Sequence, residues 1–237
     1  MNKNIRLQPL LDMSKNTVLG YEVLYTKNPG EEYPSAEQIL KSVASESSLQ
    51  GDYQLFINMT IKDAVEKEFS RKFLRTLCKL KIDSRKIVLE VNENTHPDMT
   101  SEVRQTLSTL RKHGVKIALD DFGSQRSVLD LLHKLPLDMV KIDKDLVQKA
   151  PTSNRDSALF KFCVDACHDL GCQVVAEGIE TNNQLGCAKE ANVDVAQGFL
   201  FSAPSVKPER KYSNPFICLA DFAIYISSLQ TGSALAH

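Results

Sequence analysis

Stretches with a two-residue apolar rhythm alternate with stretches of helical rhythm along nearly the whole chain, and the connectors between them are short. Strands are predicted at Ile5–Leu11, Thr17–Tyr25, Tyr53–Asn58, Lys86–Val91, Val115–Asp121, Met139–Asp143, Gln173–Glu177 and Val195–Leu200. Helices are predicted at Pro34–Ser48 (with Ser35 as N-cap), Ile61–Leu80, Met99–His113, Ser127–Lys134, Ser153–Leu170, Asn182–Ala191 and about Pro215–Leu229. Strand and helix in strict alternation imply parallel βα units. The first two strands, joined over Met13–Asn16, open the chain as a hairpin. About eight strands in 237 residues favour a closed α/β barrel over an open doubly wound sheet. No linker, repeat or low-complexity stretch divides the chain, so residues 1–237 are expected to form one domain.

Composition narrows the partners. The formal net charge of −1 supplies no broad positive field for nucleic acid or anionic lipid. Met1–Leu11 has no apolar run of signal-peptide length, and the apolar tract Phe216–Leu229 is short for a bilayer and contains Asp221. A soluble, cytoplasmic protein is expected, with neither nucleic acid nor membrane as partner. Cys78, Cys163, Cys167, Cys172, Cys187 and Cys218 show no CxxC pair and no zinc spacing, and are expected to be reduced and mostly buried. His96, His113, His133 and His168 fall away from the acids described next and are read as surface or capping residues.

The informative residues are acids at strand ends. Glu90 closes Ile87–Leu89, Asp120 and Asp121 close Val115–Leu119, Asp143 closes Met139–Ile142, and Glu177 closes Gln173–Ala176. Glu22 and Lys141 lie inside their strands, Asn58 closes Leu55–Ile57, and Gln197 lies in the last strand. Carboxylates are depleted from strands and rarely buried without a partner. In a parallel barrel the C-terminal strand ends converge on one face, where such folds build their sites. Clustered oxygen ligands with no His or Cys point to Mg²⁺ or Mn²⁺, and to a two-metal pocket suited to phosphoryl chemistry.

These residues sit in recognisable words. Tyr21-Glu22-Val23-Leu24, Ile57-Asn58-Met59-Thr60, Leu89-Glu90-Val91-Asn92-Glu93 and Ile117-Ala118-Leu119-Asp120-Asp121-Phe122-Gly123 come first. Val140-Lys141-Ile142-Asp143, Ala176-Glu177-Gly178-Ile179-Glu180-Thr181 and Ala196-Gln197-Gly198-Phe199-Leu200-Phe201 follow in order. Together, over residues 7 to about 204, they resemble the EAL family of cyclic di-GMP phosphodiesterases of bacterial signalling, which acts on biofilm formation and motility. The resemblance implies a modified TIM (β/α)8 barrel with an antiparallel first strand, hydrolysing cyclic di-GMP to linear pGpG. It implies that Glu22, Asn58, Glu90, Asp120 and Asp121 hold the metals and that Glu177 completes their shell. Lys141 would hold or deprotonate the attacking water, Glu93 would brace the loop after Asp121, and Gln8, Asp143 and Gln197 would contact substrate.

Three departures stand against this. The family commonly has Arg four residues after the motif Glu, where this chain has Thr26 followed by Lys27. The loop Ser124-Gln125-Arg126-Ser127-Val128 carries Gln125 at a family Gly. Only 35 residues separate Glu22 from Asn58, short for the family, which implies a missing helical segment. A second reading therefore stands beside the enzyme: a catalytically silent relative that regulates by binding a partner protein, or a cyclic di-GMP receptor. A homodimer fits either reading.

Overall fold

The computed structural model describes residues 4–44, 53–92, 101–124 and 128–202. Eight strands close into a barrel in chain order: β1 (Ile5–Asp12), β2 (Thr17–Tyr25), β3 (Gln54–Met59), β4 (Ile87–Asn92), β5 (Lys116–Phe122), β6 (Met139–Ile142), β7 (Gln173–Ala176) and β8 (Val195–Ala196). β1 runs antiparallel to both neighbours, β2 and β8, while every other pair is parallel. The helices are α1 (Ala36–Ala44), α2 (Ile61–Val65), α3 (Phe69–Leu80), α4 (Ser101–Lys112), α5 (Val128–Lys134), α6 (Lys144–Lys149), α7 (Asn154–Asp169) and α8 (Asn182–Glu190). The segments expected as helix at 45–48 and about Pro215–Leu229 lie outside the described residues, as do Glu93 and the loop residues 125–127.

Strand alternation sorts each strand into an outer and an inner row. Ile87, Leu89 and Val91 of β4, like Ile117 and Leu119 of β5, pack outward under the helices in the larger core. The inner row is a separate apolar plug of Leu10, Phe56, Val88, Ala118, Met139, Val175 and Val195. Each buried side chain of this size contributes about 1.5–3 kcal/mol, so the plug anchors the barrel interior. Two residues further toward the open face on each of these strands stand Gln8, Asn58, Glu90, Asp120, Lys141, Glu177 and Gln197. On β1 the step runs backwards in sequence, because that strand is antiparallel.

Several expected elements differ in detail. The helix predicted over Ile61–Leu80 is two helices, interrupted by extended backbone at Glu66. Thr60 caps α2, and the Asp63 carboxylate accepts from the Thr60 N–H at 3.0 Å and the Ala36 N–H at 3.1 Å, clipping α2 to the start of α1. α3 is anchored separately by the buried stripe Phe69, Phe73 and Leu77, so the junction absorbs two independent anchorages. The helix α6 was not anticipated; Asp143, read as a strand end, is its N-cap, with Oδ1 accepting from the Asp145 N–H at 2.8 Å. The last strand is only Val195–Ala196, because the chain turns at Gly198 to pack on Ile179. Ser35 caps α1 as expected, its hydroxyl accepting from the Gln38 N–H. Cys78, Cys163, Cys167, Cys172 and Cys187 are free thiols, but Cys78 is exposed. His168 is not merely a surface residue: its Nε2 lies 2.9 Å from Asp194 Oδ2, which also accepts from the Val174 N–H.

Candidate active site

Above the apolar plug, the polar layer closes around a single ammonium. Lys141 Nζ lies 2.8 Å from Glu90 Oε1, 2.8 Å from Glu177 Oε1, 2.9 Å from Asp120 Oδ1 and 3.6 Å from Glu22 Oε2. The side chains of Lys141 and Glu90 are all but fully buried. Four carboxylates around one ammonium leave a large negative excess if all are ionised, and the titration behaviour records that conflict. Burial, reinforced by Glu22 and Asp120 against the opposing Lys141, raises the Glu90 carboxyl well above its ordinary value. Glu177 is pushed up to about 8, by burial first and despite Lys141, with Asp120 and Glu22 adding repulsion. For Lys141, burial is the largest single influence and pulls downward, but Asp120, Glu177, Glu22 and Glu90 together raise it well above the ordinary lysine value.

Local devices aim these groups. Simple alternation would send Asp120 and Asp121 to opposite faces of β5. Instead the register slips against β6, from Leu119↔Val140 to Phe122↔Ile142, and Asp121 adopts a left-handed φ of 58°. Oxygens of Asp120, Asp121 and Glu177 thereby come within 4.8 Å of one another. The loop after Glu177 is held close by glycine: a Cβ on Gly178, at φ 65°, would lie 2.4 Å from Lys144 Cβ. On the other side Gln197 Nε2 donates to Glu22 Oε2 at 2.6 Å and to Gln8 Oε1 at 3.2 Å, tying β8, β1 and β2 together.

The residues singled out in the sequence thus converge. Glu22, Glu90, Asp120, Lys141 and Glu177 form the floor, and Asn58, half-buried, pairs in register with Glu90. An open pocket of about 280 Å³ lies above, lined by Gln8, Glu22, Asp121, Asp143, Glu177 and Gln197 together with Lys144, Glu180 and Phe199. Lys144 and Phe199 were not singled out; Lys144 becomes a wall residue only because Asp143 starts a helix there. Asn92 was named only as part of the motif around Glu90, yet its Nδ2 donates to Asp121 Oδ2 at 2.5 Å. A hard divalent cation fits the donor set. Both Glu90 oxygens and Asp120 Oδ1 are buried, with Lys141 the cation beside them, and the carboxylates of Glu22, Glu90, Asp120, Asp121 and Glu177 offer hard oxygen ligands beyond what that one ammonium neutralises.

The sequence profile of the EAL domain matches residues 35–204. The chain belongs to the EAL domain family. The match begins after Glu22, so the β2 motif, which the barrel joins to the rest, lies outside it. This EAL chain is 30% identical over 172 residues to the cyclic di-GMP phosphodiesterase PdeL of Escherichia coli, covering 73% of this chain and 47% of that protein. It is 37% identical over 116 residues to the cyclic di-GMP phosphodiesterase NbdA of Pseudomonas aeruginosa, covering 49% and 15%. The chain therefore spans less than half the length of either. Among solved structures, the EAL domain of Mycobacterium smegmatis DcpA superposes with a TM-score of 0.76 at 26% identity, covering 93% of this chain and 95% of that one. A manganese and cyclic di-GMP complex of Klebsiella pneumoniae BlrP1 follows at TM-score 0.73 and 28% identity, covering 85% and 55%.

Proposed function

We propose that this EAL barrel is a metal-dependent phosphodiesterase that opens cyclic di-GMP to linear pGpG. The observation that carries the reading is the floor of the pocket. Carboxylate oxygens are buried there beyond what one lysine neutralises, in a family whose relatives include cyclic di-GMP phosphodiesterases. In this reading Glu22, Asn58, Glu90, Asp120 and Asp121 hold Mg²⁺ or Mn²⁺, with Glu177 at the edge of the same cluster. Such ions, when bound, lower the pKa of a water nucleophile and neutralise charge on the phosphodiester. Lys141 then holds the attacking water. Four surrounding carboxylates keep its proton on, which favours a donor over a base. Gln197, braced between Glu22 and Gln8, orients the pocket wall, and Asp143 meets the substrate from the start of α6.

The silent-regulator reading draws on Thr26, exposed and uncharged where the family commonly carries Arg. One experiment separates the two. Purified protein is incubated with cyclic di-GMP and Mg²⁺ or Mn²⁺, and pGpG is followed by chromatography. Product is expected with metal, with none in EDTA and none from Glu22→Ala. Undiminished product in either control sinks the two-metal mechanism, and no product with metal moves the assignment to receptor or regulator. The same reading treats residues 1–237 as one barrel domain acting in the cytoplasm, with self-association to be read by sedimentation. No helix among the described residues is long and apolar enough to cross a membrane.

A further inference from the structure

Asp120 and Asp121 are adjacent but held by different means. Asp120 is gripped by Lys141 at 2.9 Å. Asp121 reaches the same pocket through a bulge and a left-handed backbone, a conformation that L-residues adopt at a cost. A carboxylate so placed is driven to rotate away from Asp120 unless something fixes it. Asn92 stands where it can. It lies two residues past Glu90 on β4, hence on the same inward row, and pairs in register with Asp120 on the neighbouring strand. Its Nδ2 donates to Asp121 Oδ2 at 2.5 Å. An amide orients a carboxylate without bringing a positive charge that would compete with a cation for it.

We propose that Asn92 is a positioning residue. It holds the Asp121 carboxylate toward the cation position shared with Asp120 and Glu177, so occupancy of that position depends on it. The position on the Glu22–Glu90 side does not. The proposal rests on the metal-dependent reading above, and its test reads metal binding and melting. Mn²⁺ is titrated calorimetrically into the full chain, the Asn92→Leu variant (similar in size, no donor) and the Asn92→Thr variant (smaller, with a hydroxyl donor). The native chain should show two binding events. Asn92→Leu should weaken one of them by about 10–100-fold, the loss usual when a ligand's hydrogen-bond partner is removed, and leave the other unchanged. Asn92→Thr should stay close to the native affinities, and melting in EDTA should be the same for all three. Should the leucine fail to fold, Asn92→Ala carries the same expectation without added bulk. Two unchanged events in the leucine or alanine variant overturn the proposal, as does equal weakening of both, or a threonine variant as poor as leucine. A native chain that binds no Mn²⁺ overturns the metal reading and this proposal with it, a result distinct from a defect confined to Asn92 variants.

Discussion

Lys141 is the residue on which the site turns. Its ammonium occupies the centre of the carboxylate nest, with three carboxylate contacts of 2.8 to 2.9 Å and a fourth at 3.6 Å. It acts there as an internal counter-ion. Lys141→Met keeps the chain length and apolar stem but leaves the acids uncompensated, and breaking a buried pair from one side costs about 3–5 kcal/mol. Melting followed in EDTA should show a loss of that order, with Mn²⁺ restoring much more stability to the variant than to the native chain. A variant as stable as the native protein in EDTA would show that the nest is neutralised by its own protons instead. The sequence identified Lys141 and the acids around it, since strand periodicity and motif order both marked them. It did not identify Asn92, because nothing in its neighbourhood of sequence says that Asp121, 29 residues on, is turned by a bulge to meet it.

At the scale of elements, the barrel depends on clips that lie off the strands. Asp63 is buried, and one of its oxygens serves both the cap of α2 and the first turn of α1. Asp63→Ala leaves two backbone N–H groups without that partner and is expected to cost about 2 kcal/mol in urea unfolding, combining a lost cap with a lost bond to a charged group. Because α1 and α2 flank β3, which ends near Asn58, Mn²⁺ affinity should fall less than stability does. Unchanged unfolding would mean that solvent replaces the carboxylate at both sites. The prediction of one helix over Ile61–Leu80 failed here for a definable reason. Helical periodicity records which residues face the core but not that the two halves are anchored separately, α2 by the Asp63 clip to α1 and α3 by its own buried stripe. The αL residue Lys81 closing α3 and the Ser35 cap of α1 were each decided within a turn of their own sequence, and the Ser35 cap was legible.

For the whole molecule, the acidic floor should dominate the response to pH. Glu177 is raised from 4.5 to about 8 on folding, and Glu90 and Asp121 are raised as well. An acid whose folded pKa is raised binds more protons folded than unfolded between the two values, so stability falls as pH rises through that window. Below about 4.5 this contribution is fully present, and it is spent by about pH 8. The carboxylates lowered on folding, Asp83 to about 2 among them, act at the acid end and leave the upper window to the nest. Thermal melts in EDTA should therefore decline from about pH 5 to about pH 8, and saturating Mg²⁺ or Mn²⁺ should flatten the decline by taking the place of those protons. A flat EDTA profile would contradict the buried-acid account.

Sequence alone determined the alternation of strand and helix, and with it the barrel, the antiparallel opening strand, and an acid or its partner at the mouth of most strands. These follow from periods of two and 3.6 residues and from motifs that each lie within one strand end. Tertiary structure alone decided which of those groups touch. It put Lys141 among acids from four other strands, bent Asp121 inward at φ 58°, started α6 at Asp143, and turned the last strand aside at Gly198. Each of those outcomes is settled by contact between elements far apart in the chain, where the energy of a side chain depends on neighbours that its local sequence does not specify.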